Sequence, residues 1–193
     1  YHVIIHWYDY SHNLIDIVKI WEGGLAIHGA IIGGGLALLL TCHKRHWPTW
    51  QVASWLTPSL ALGQAIGRWG NFFNQELFGP PTNRPWGVPI DVVYRPIEYS
   101  AATHFHPLFL YESIACSLLA LILYYLNRHT IKAQYIVATY LIGYGLIRFV
   151  IEFWRQDPTL YLLGWRWPQW ISCFMILGGL WLIIYPLILR QKH

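Results

Sequence analysis

The sequence predicts an all-α, polytopic integral membrane protein. Three observations carry this. Apolar residues make up 55% of the 193 residues and charged residues only 11%, under half the ~25% usual for soluble domains. The apolar residues fall in long runs separated by short polar stretches, as membrane spans do. The Lys and Arg of three short segments, 42–49, 127–133 and the tail, alternate along the chain so as to share one side, a pattern that sets membrane orientation. Disorder is excluded, because aromatics reach 17% and disordered chains are poor in them. The formal charge of +4 comes from scattered residues with no run longer than Lys44-Arg45, so it reads as topology-setting loop charge and not as a nucleic-acid surface.

The chain opens at Tyr1 in polar, aromatic sequence, as a start part-way through a longer protein would. Five spans follow, at about residues 25–41, 50–67, 107–126, 134–153 and 169–189, and together they predict a single membrane domain over residues 1–193. Each is roughly 17–21 residues long, enough for a ~30 Å hydrocarbon core. Backbone groups in lipid must pair within their own segment, so these runs are expected to be helices. A membrane β-barrel would alternate over about ten residues, and these segments do not.

The first span is rich in glycine. Gly29 and Gly33 form a G-x-x-x-G pattern, which Gly63 and Gly67 repeat in the second. Such patterns permit close helix approach or leave room for a ligand. The segment 42–49 carries Lys44 and Arg45, segment 127–133 carries Arg128 and Lys132, and the tail carries Arg190 and Lys192. These three alternate correctly to share the cytoplasmic side. Segments 68–106 and 154–168 then face outward. The first of these holds Pro80, Pro81, Pro85, Pro89 and Pro96, a density that forbids regular helix and predicts a structured loop or arm. Trp47, Trp50, Tyr124, Tyr125, Trp154, Trp165, Trp170 and Tyr185 lie near span ends, where aromatic belts belong. Cys42, Cys116 and Cys173 form no C-x-x-C pair and read as small buried apolar residues. His104/His106 and His2/His6 lack carboxylate or thiol partners at metal-binding spacing, so no metal site is expected.

Charge inside a span is costly and marks function by default. Tyr144, Arg148, Glu152 and Arg155 are spaced by four, four and three residues, which stacks them on one face of the fourth span. Arg148 and Glu152 can pair there. A second cluster runs from Gly67 to Gly79, where the second span reaches the outer interface. In it Arg68 offers a fork suited to a phosphate. Asn71 and Asn74 can donate amide hydrogen bonds, and Glu76 can hold an arginine or take a proton. Gly67 and Gly70 leave space for a bulky ligand. The two clusters place three arginines near one leaflet depth, a receptor for an anionic phospholipid headgroup. His28, the one histidine well inside a span, reads either as a hydrogen-bonded packing residue or as a catalyst in the open space that the glycines leave.

The run Gly67-Arg68-Trp69-Gly70-Asn71-Phe72-Phe73-Asn74-Gln75-Glu76-Leu77-Phe78-Gly79 resembles the signature G-R-x-G-N-F-x-N-x-E-x-x-G of the prolipoprotein diacylglyceryl transferase family. Three further blocks fit in the same order: Gly24 to Gly29 with His28, His106-Pro107 through Leu110-Tyr111-Glu112, and Tyr144-Gly145 through Arg148-Phe149 with Glu152 and Arg155. The resemblance implies an enzyme of the bacterial cytoplasmic membrane that moves the diacylglyceryl group of phosphatidylglycerol to the lipobox cysteine of a prolipoprotein, releasing glycerol phosphate. It implies functional positions at His28, Arg68, Asn71, Glu76, Gly79, Tyr144, Arg148 and Glu152. The family has about two further helices ahead of the glycine-histidine block.

On this reading the cysteine thiol attacks the glyceryl carbon bonded to the phosphate oxygen. Arg68 and Arg148 bind the phosphate and stabilise the charge that grows on the leaving group, strongly so at low dielectric. A thiol has pKa ≈ 8.5 and must ionise to attack well. Either His28, with an imidazole pKa near 6.5, takes the proton, or neighbouring arginine charge lowers the thiol pKa and His28 only positions. Glu76 and Glu152 are expected to orient the arginines. No metal or organic cofactor is required, because the phosphate is already a leaving group. The partners are phosphatidylglycerol, lipobox signal peptides and membrane lipids, with the site toward the outer leaflet and the C-terminus cytoplasmic. Two rivals remain: an anion or lipid transporter, and a non-catalytic phospholipid-binding membrane protein.

Overall fold

The computed structural model describes residues 27–157 and 161–190. The chain divides into two compact units, residues 1–52 and 53–193.

In the first unit, helix α1 (Ile27–Arg45) covers the glycine-rich run and ends on His43, Lys44 and Arg45, of which the lysine and arginine complement the negative end of the helix dipole. His46 takes a left-handed φ of 53°. Trp47 N–H then reaches back to the Cys42 carbonyl at 2.9 Å, closing the orphaned carbonyls in a Schellman turn. Helix α2 (Thr49–Phe73) starts directly after. Its first turn bonds to the Pro48 carbonyl through Gln51 and Val52 N–H.

The second unit holds the rest of α2 and three more helices: α3 (Leu108–Asn127), α4 (Ala133–Trp154) and α5 (Trp167–Arg190). These three are long and apolar enough to cross a membrane. Of the five expected spans, therefore, three meet that measure among the described residues. The other two are helices of similar length in which His, Lys, Arg, Gln and Gly dilute the apolar residues.

Helix α4 packs on α3 and on α5. The α4–α5 contact is close because of glycine: a Cβ at Gly179 would stand 2.9 Å from the Ala138 carbonyl oxygen, and one at Gly145 3.0 Å from that of Ser172. By contrast, among the described residues nothing lies within 4 Å of a Cβ built at Gly63 or Gly67. Helix α2 is tied to α3 by polar stitches: Ser113 Oγ donates to the Ala65 carbonyl at 2.8 Å and Asn127 Nδ2 to the Ser54 carbonyl at 2.9 Å. Ala61 of α2, Leu119, Ala120 and Leu123 of α3 and Ile136 of α4 form the buried core where the three helices meet. On the outside, Ile114, Leu118, Leu121, Phe174, Leu177 and Trp181 are exposed. Such a ring of large apolar side chains suits hydrocarbon, not water.

The proline-rich segment forms a cap without regular helix, as its composition dictates. Strand β1 (Val88–Pro89) pairs antiparallel with β2 (His104–Phe105), and two single turns of 3₁₀-helix, Val92–Tyr94 and Ile97–Tyr99, lie between them. Phe78, Ile90 and Phe105 make the buried centre of the cap. Arg95 staples it, donating from Nε to the Ile90 carbonyl at 2.7 Å and from Nη1 to that of Ser100 at 3.0 Å. A second hairpin, β3 (Tyr161–Leu162) with β4 (Trp165–Arg166), precedes α5. Its turn residues Leu163 and Gly164 both have positive φ, 51° and 81°, the backbone that a two-residue hairpin demands.

Candidate active site

The site grows from the C-terminal end of α2, the N-terminal end of α3 and the C-terminal end of α4. Helix α2 stops at Phe73 because the next turn reverses. Gln75 adopts φ 54° and Leu77 φ 56°, left-handed values that are uncommon for side-chain-bearing residues. Glu76 N–H bonds back to the Asn71 carbonyl at 2.8 Å. This reversal lays Glu76 over Asn71, whose Nδ2 donates to Glu76 Oε2 at 3.1 Å. It also sinks Leu77 into a core with Leu108 and Phe109. The signature's last glycine is explained by contact. Gly79 N–H donates to the His106 carbonyl at 2.8 Å, and a Cβ there would meet His106 Cβ at 3.1 Å and Leu108 Cδ2 at 3.2 Å. Gly79 lets the segment after α2 lie close against the segment that leads into α3.

Arg68, Arg148, Glu152 and Tyr144 meet as the sequence predicts, and a residue from α3 joins them. Glu112 is wholly buried. Its Oε1 pairs with Arg68 Nε at 2.9 Å, and its Oε2 pairs with Arg148 Nη1 at 2.9 Å. Arg148 Nη2 then reaches Glu152 Oε2 at 2.8 Å. Glu152 Oε1 faces Arg155 Nη1 at 3.4 Å and Arg166 Nη1 at 3.7 Å. Arg155 closes the row on Asp157, with Nε to Oδ1 at 2.8 Å. The result is a ladder of alternating charge, Arg68–Glu112–Arg148–Glu152–Arg155/Arg166–Asp157. Both glutamate side chains have no exposed surface, while the four arginines keep 13–20% of theirs. Buried carboxylates can stay ionised only if paired, and each of these has at least two guanidinium partners.

Tyr144, one turn before Arg148, accepts from Arg68 Nη2 at 3.2 Å, and Arg68 Nη1 donates to Asn71 Oδ1 at 3.3 Å. Arg68 is thus held from three sides. Beyond α4, burial opposes the charge on Arg155, but its bonds to Asp157 and the fields of Asp157, Glu152 and Glu76 outweigh it and raise its pKa. Arg166 donates from Nη2 to the Arg155 carbonyl at 2.8 Å and from Nη1 to that of Asp157 at 3.3 Å, so it braces the chain where α4 ends.

Glu152 faces Arg148, Arg155 and Arg166. Glu76 bonds to Asn71, and Glu112 pairs with Arg68. Asn71 spends its amide on Glu76 and its oxygen on Arg68, so its place is to brace the arginine. His106 Nδ1 lies 2.9 Å from the Tyr111 hydroxyl, which also accepts from Trp86 Nε1 at 2.9 Å. His104 Nδ1 bonds with Thr103 Oγ1 at 2.9 Å, so the two cap histidines serve different partners. His28 belongs to α1, but its side chain lies outside the described residues, as do His2 and His6.

Three residues of the ladder escaped the sequence reading of the site. Glu112 stands in an apolar helix, and the rule that singles out Arg148 singles it out equally. Asp157 and Arg166 fall in a segment read only as an outward loop. Nothing in their spacing tells that a hairpin folds Arg166 back on Glu152.

Four guanidiniums meet three carboxylates here, with Glu76 exposed at the rim. A family model for prolipoprotein diacylglyceryl transferase matches residues 1–185. Curated relatives carry the name phosphatidylglycerol--prolipoprotein diacylglyceryl transferase. That of Synechococcus elongatus is 46% identical over 94% of this chain and 66% of its own length. That of Synechocystis sp. is 44% identical over 100% and 70%, and that of Parasynechococcus marenigrum 45% over 93% and 70%. The chain spans about two thirds of the length of these relatives. With four signature blocks in order, a helical membrane architecture and a match over nearly the whole chain, it belongs to the prolipoprotein diacylglyceryl transferase family.

Proposed function

We propose that the chain transfers the diacylglyceryl group of phosphatidylglycerol to the lipobox cysteine thiol of a prolipoprotein, at the outer leaflet of the bacterial cytoplasmic membrane. The observation that carries this is the arginine ladder. Arg68, Arg148, Arg155 and Arg166 are drawn together by Glu112, Glu152 and Asp157 at the outer ends of apolar helices. Guanidinium is the fitting group for a phosphodiester, because its planar fork donates two parallel hydrogen bonds.

In the reaction the thiol loses its proton, and sulfur attacks the glyceryl carbon attached to the phosphate oxygen. The C–S bond forms as the C–O bond breaks, and the electron pair leaves with glycerol phosphate. Charge that was spread over the diester concentrates on the departing phosphate. Arg68 and Arg148 face that charge already fixed in place by Glu112, so little reorganisation is needed as it develops. Tyr144 and Asn71 hold Arg68, and Glu152 holds Arg148. Glu76 and Gly79 shape the rim, and Arg155 borders the headgroup. His28 is the candidate to take the thiol proton. Orientation follows the basic segments: Lys44 and Arg45, Arg128 and Lys132, and the end of α5 are cytoplasmic, with α1 and α2 as further spans of one membrane domain.

The test is incubation of the purified chain in vesicles with radiolabelled phosphatidylglycerol and a lipobox peptide. Label moving to the peptide cysteine with release of glycerol phosphate supports the reading. Lipid binding without transfer would make it a scaffold, and anion flux across the vesicle wall a transporter.

A further inference from the structure

One turn deeper than the arginine, α2 and α4 repeat their cross-link. Arg68 meets Tyr144, and four residues earlier on each helix Gln64 Nε2 meets the Tyr140 hydroxyl at 2.9 Å. The rings of Tyr140 and Tyr144 stack nearly parallel, 4° apart in plane with centroids 6.1 Å apart. The two rungs are therefore in register, the second ~6 Å further from the outer end at 1.5 Å per residue.

The deeper rung is incompletely bonded. Gln64 Oε1 is buried with no partner among the described residues, a costly state inside a membrane. The three donor hydrogens of the pair, two on the amide and one on the phenol, satisfy one bond. The amide can also stand the other way round, since its oxygen and nitrogen are assigned from the bonding pattern. Tyr140 then donates to Oε1. In both orientations two hydrogens remain unspent among the described residues. Beside the rung, among the described residues, nothing lies within 4 Å of a Cβ built at Gly63 or Gly67.

A phospholipid whose phosphate lies on Arg68 and Arg148 hangs its glycerol backbone inward, with two ester carbonyls a short step below the phosphate. They are acceptors without hydrogens, and the rung offers two hydrogens without acceptors. We infer that Gln64 and Tyr140 form a subsite for the ester carbonyls of the donor lipid, so that the protein reads the acyl linkage as well as the headgroup. This rests on the transferase reading above. The glycines provide the flank along which the glycerol and upper acyl chain lie. A peptide carbonyl of the acceptor has the same hydrogen-bonding chemistry, and the choice of lipids below separates the two sources.

The experiment compares diacyl phosphatidylglycerol with its dialkyl ether analogue, which keeps headgroup and chains but lacks the carbonyls, as donors for the full chain. The expected result is a KM about three- to tenfold higher for the ether lipid, the worth of one neutral hydrogen bond. Tyr140→Phe and Gln64→Leu should each raise the KM for the diacyl lipid toward that of the ether and leave the ether value unchanged. Equal KM values for both lipids with the unaltered protein would overturn the subsite while leaving the transferase reading intact. So would variants that raise both lipid values alike, or only that of the peptide. Failure of the unaltered chain to transfer from either lipid would instead overturn the transferase reading, and the subsite with it.

Discussion

Glu112 Oε2 accepts a hydrogen bond from Arg148 Nη1 at 2.9 Å, from a position with no exposed surface. Its other oxygen is taken by Arg68 at the same distance. One carboxylate from α3 thus sets the spacing between an arginine of α2 and an arginine of α4. Two guanidiniums left unbridged at this depth would repel each other, and each would seek water.

Removal of Glu112 should therefore damage both stability and turnover. Glu112→Ala leaves two partly buried cations without their shared anion, a change worth about 3–5 kcal/mol when a buried pair is broken. Thermal unfolding in detergent should register the loss, and transfer should fall at least 100-fold. Glu112→Gln keeps the shape and one acceptor, so it should unfold nearer the unaltered protein yet stay slow. A fast Glu112→Gln enzyme would contradict the bridging role.

Arg148 distinguishes charge from geometry. Arg148→Ala should abolish transfer. Arg148→Lys keeps the charge but cannot span Glu112 and Glu152 together, because a single ammonium replaces a planar fork, and its kcat should drop at least tenfold. Near-normal turnover of the alanine variant would remove Arg148 from the phosphate.

Arg166 reaches Glu152 from the β3–β4 hairpin and holds the carbonyls of Arg155 and Asp157. Arg166→Gln should lower kcat about tenfold through lost bracing, within the worth of hydrogen bonds to a charged group. KM for the peptide should hardly move. A change confined to peptide KM would place Arg166 in acceptor binding instead.

Gly79→Ala tests packing. The added methyl meets His106 Cβ at 3.1 Å and Leu108 at 3.2 Å, and overfilling of this kind costs about 1–3 kcal/mol. The melting temperature should fall and the fraction folded at a given temperature with it. Activity per folded molecule measured well below the melting point should be largely kept, and a stable but dead variant would assign Gly79 a direct role.

His28→Gln addresses the proton. If the imidazole is the base, the rate should fall mainly below the pH at which a free thiol ionises, ≈ 8.5, and recover as the thiolate forms unaided. A pH–rate profile of unchanged shape would leave thiol activation to the arginines.

Much of this molecule was legible in its residues. The Tyr144–Arg148–Glu152–Arg155 stripe was readable because helical periodicity is local: residues four apart share a face wherever the helix goes. The proline-rich cap was readable for the same reason, since proline acts on its own backbone. The partner of Arg68 was not. Glu112 lies 44 positions away in sequence, and nothing local says which buried carboxylate faces which arginine.

By itself the sequence determined the long apolar helices and the set of charged residues that lipid would not tolerate unpaired. Only the tertiary structure decided how those charges alternate, that Glu76 braces Asn71 while Glu112 carries Arg68, and that a hairpin brings Arg166 to Glu152. The reason is range. Hydropathy and periodicity act within a segment, whereas ion pairing depends on which segments pack side by side, and that is fixed by side-chain fit along whole helices.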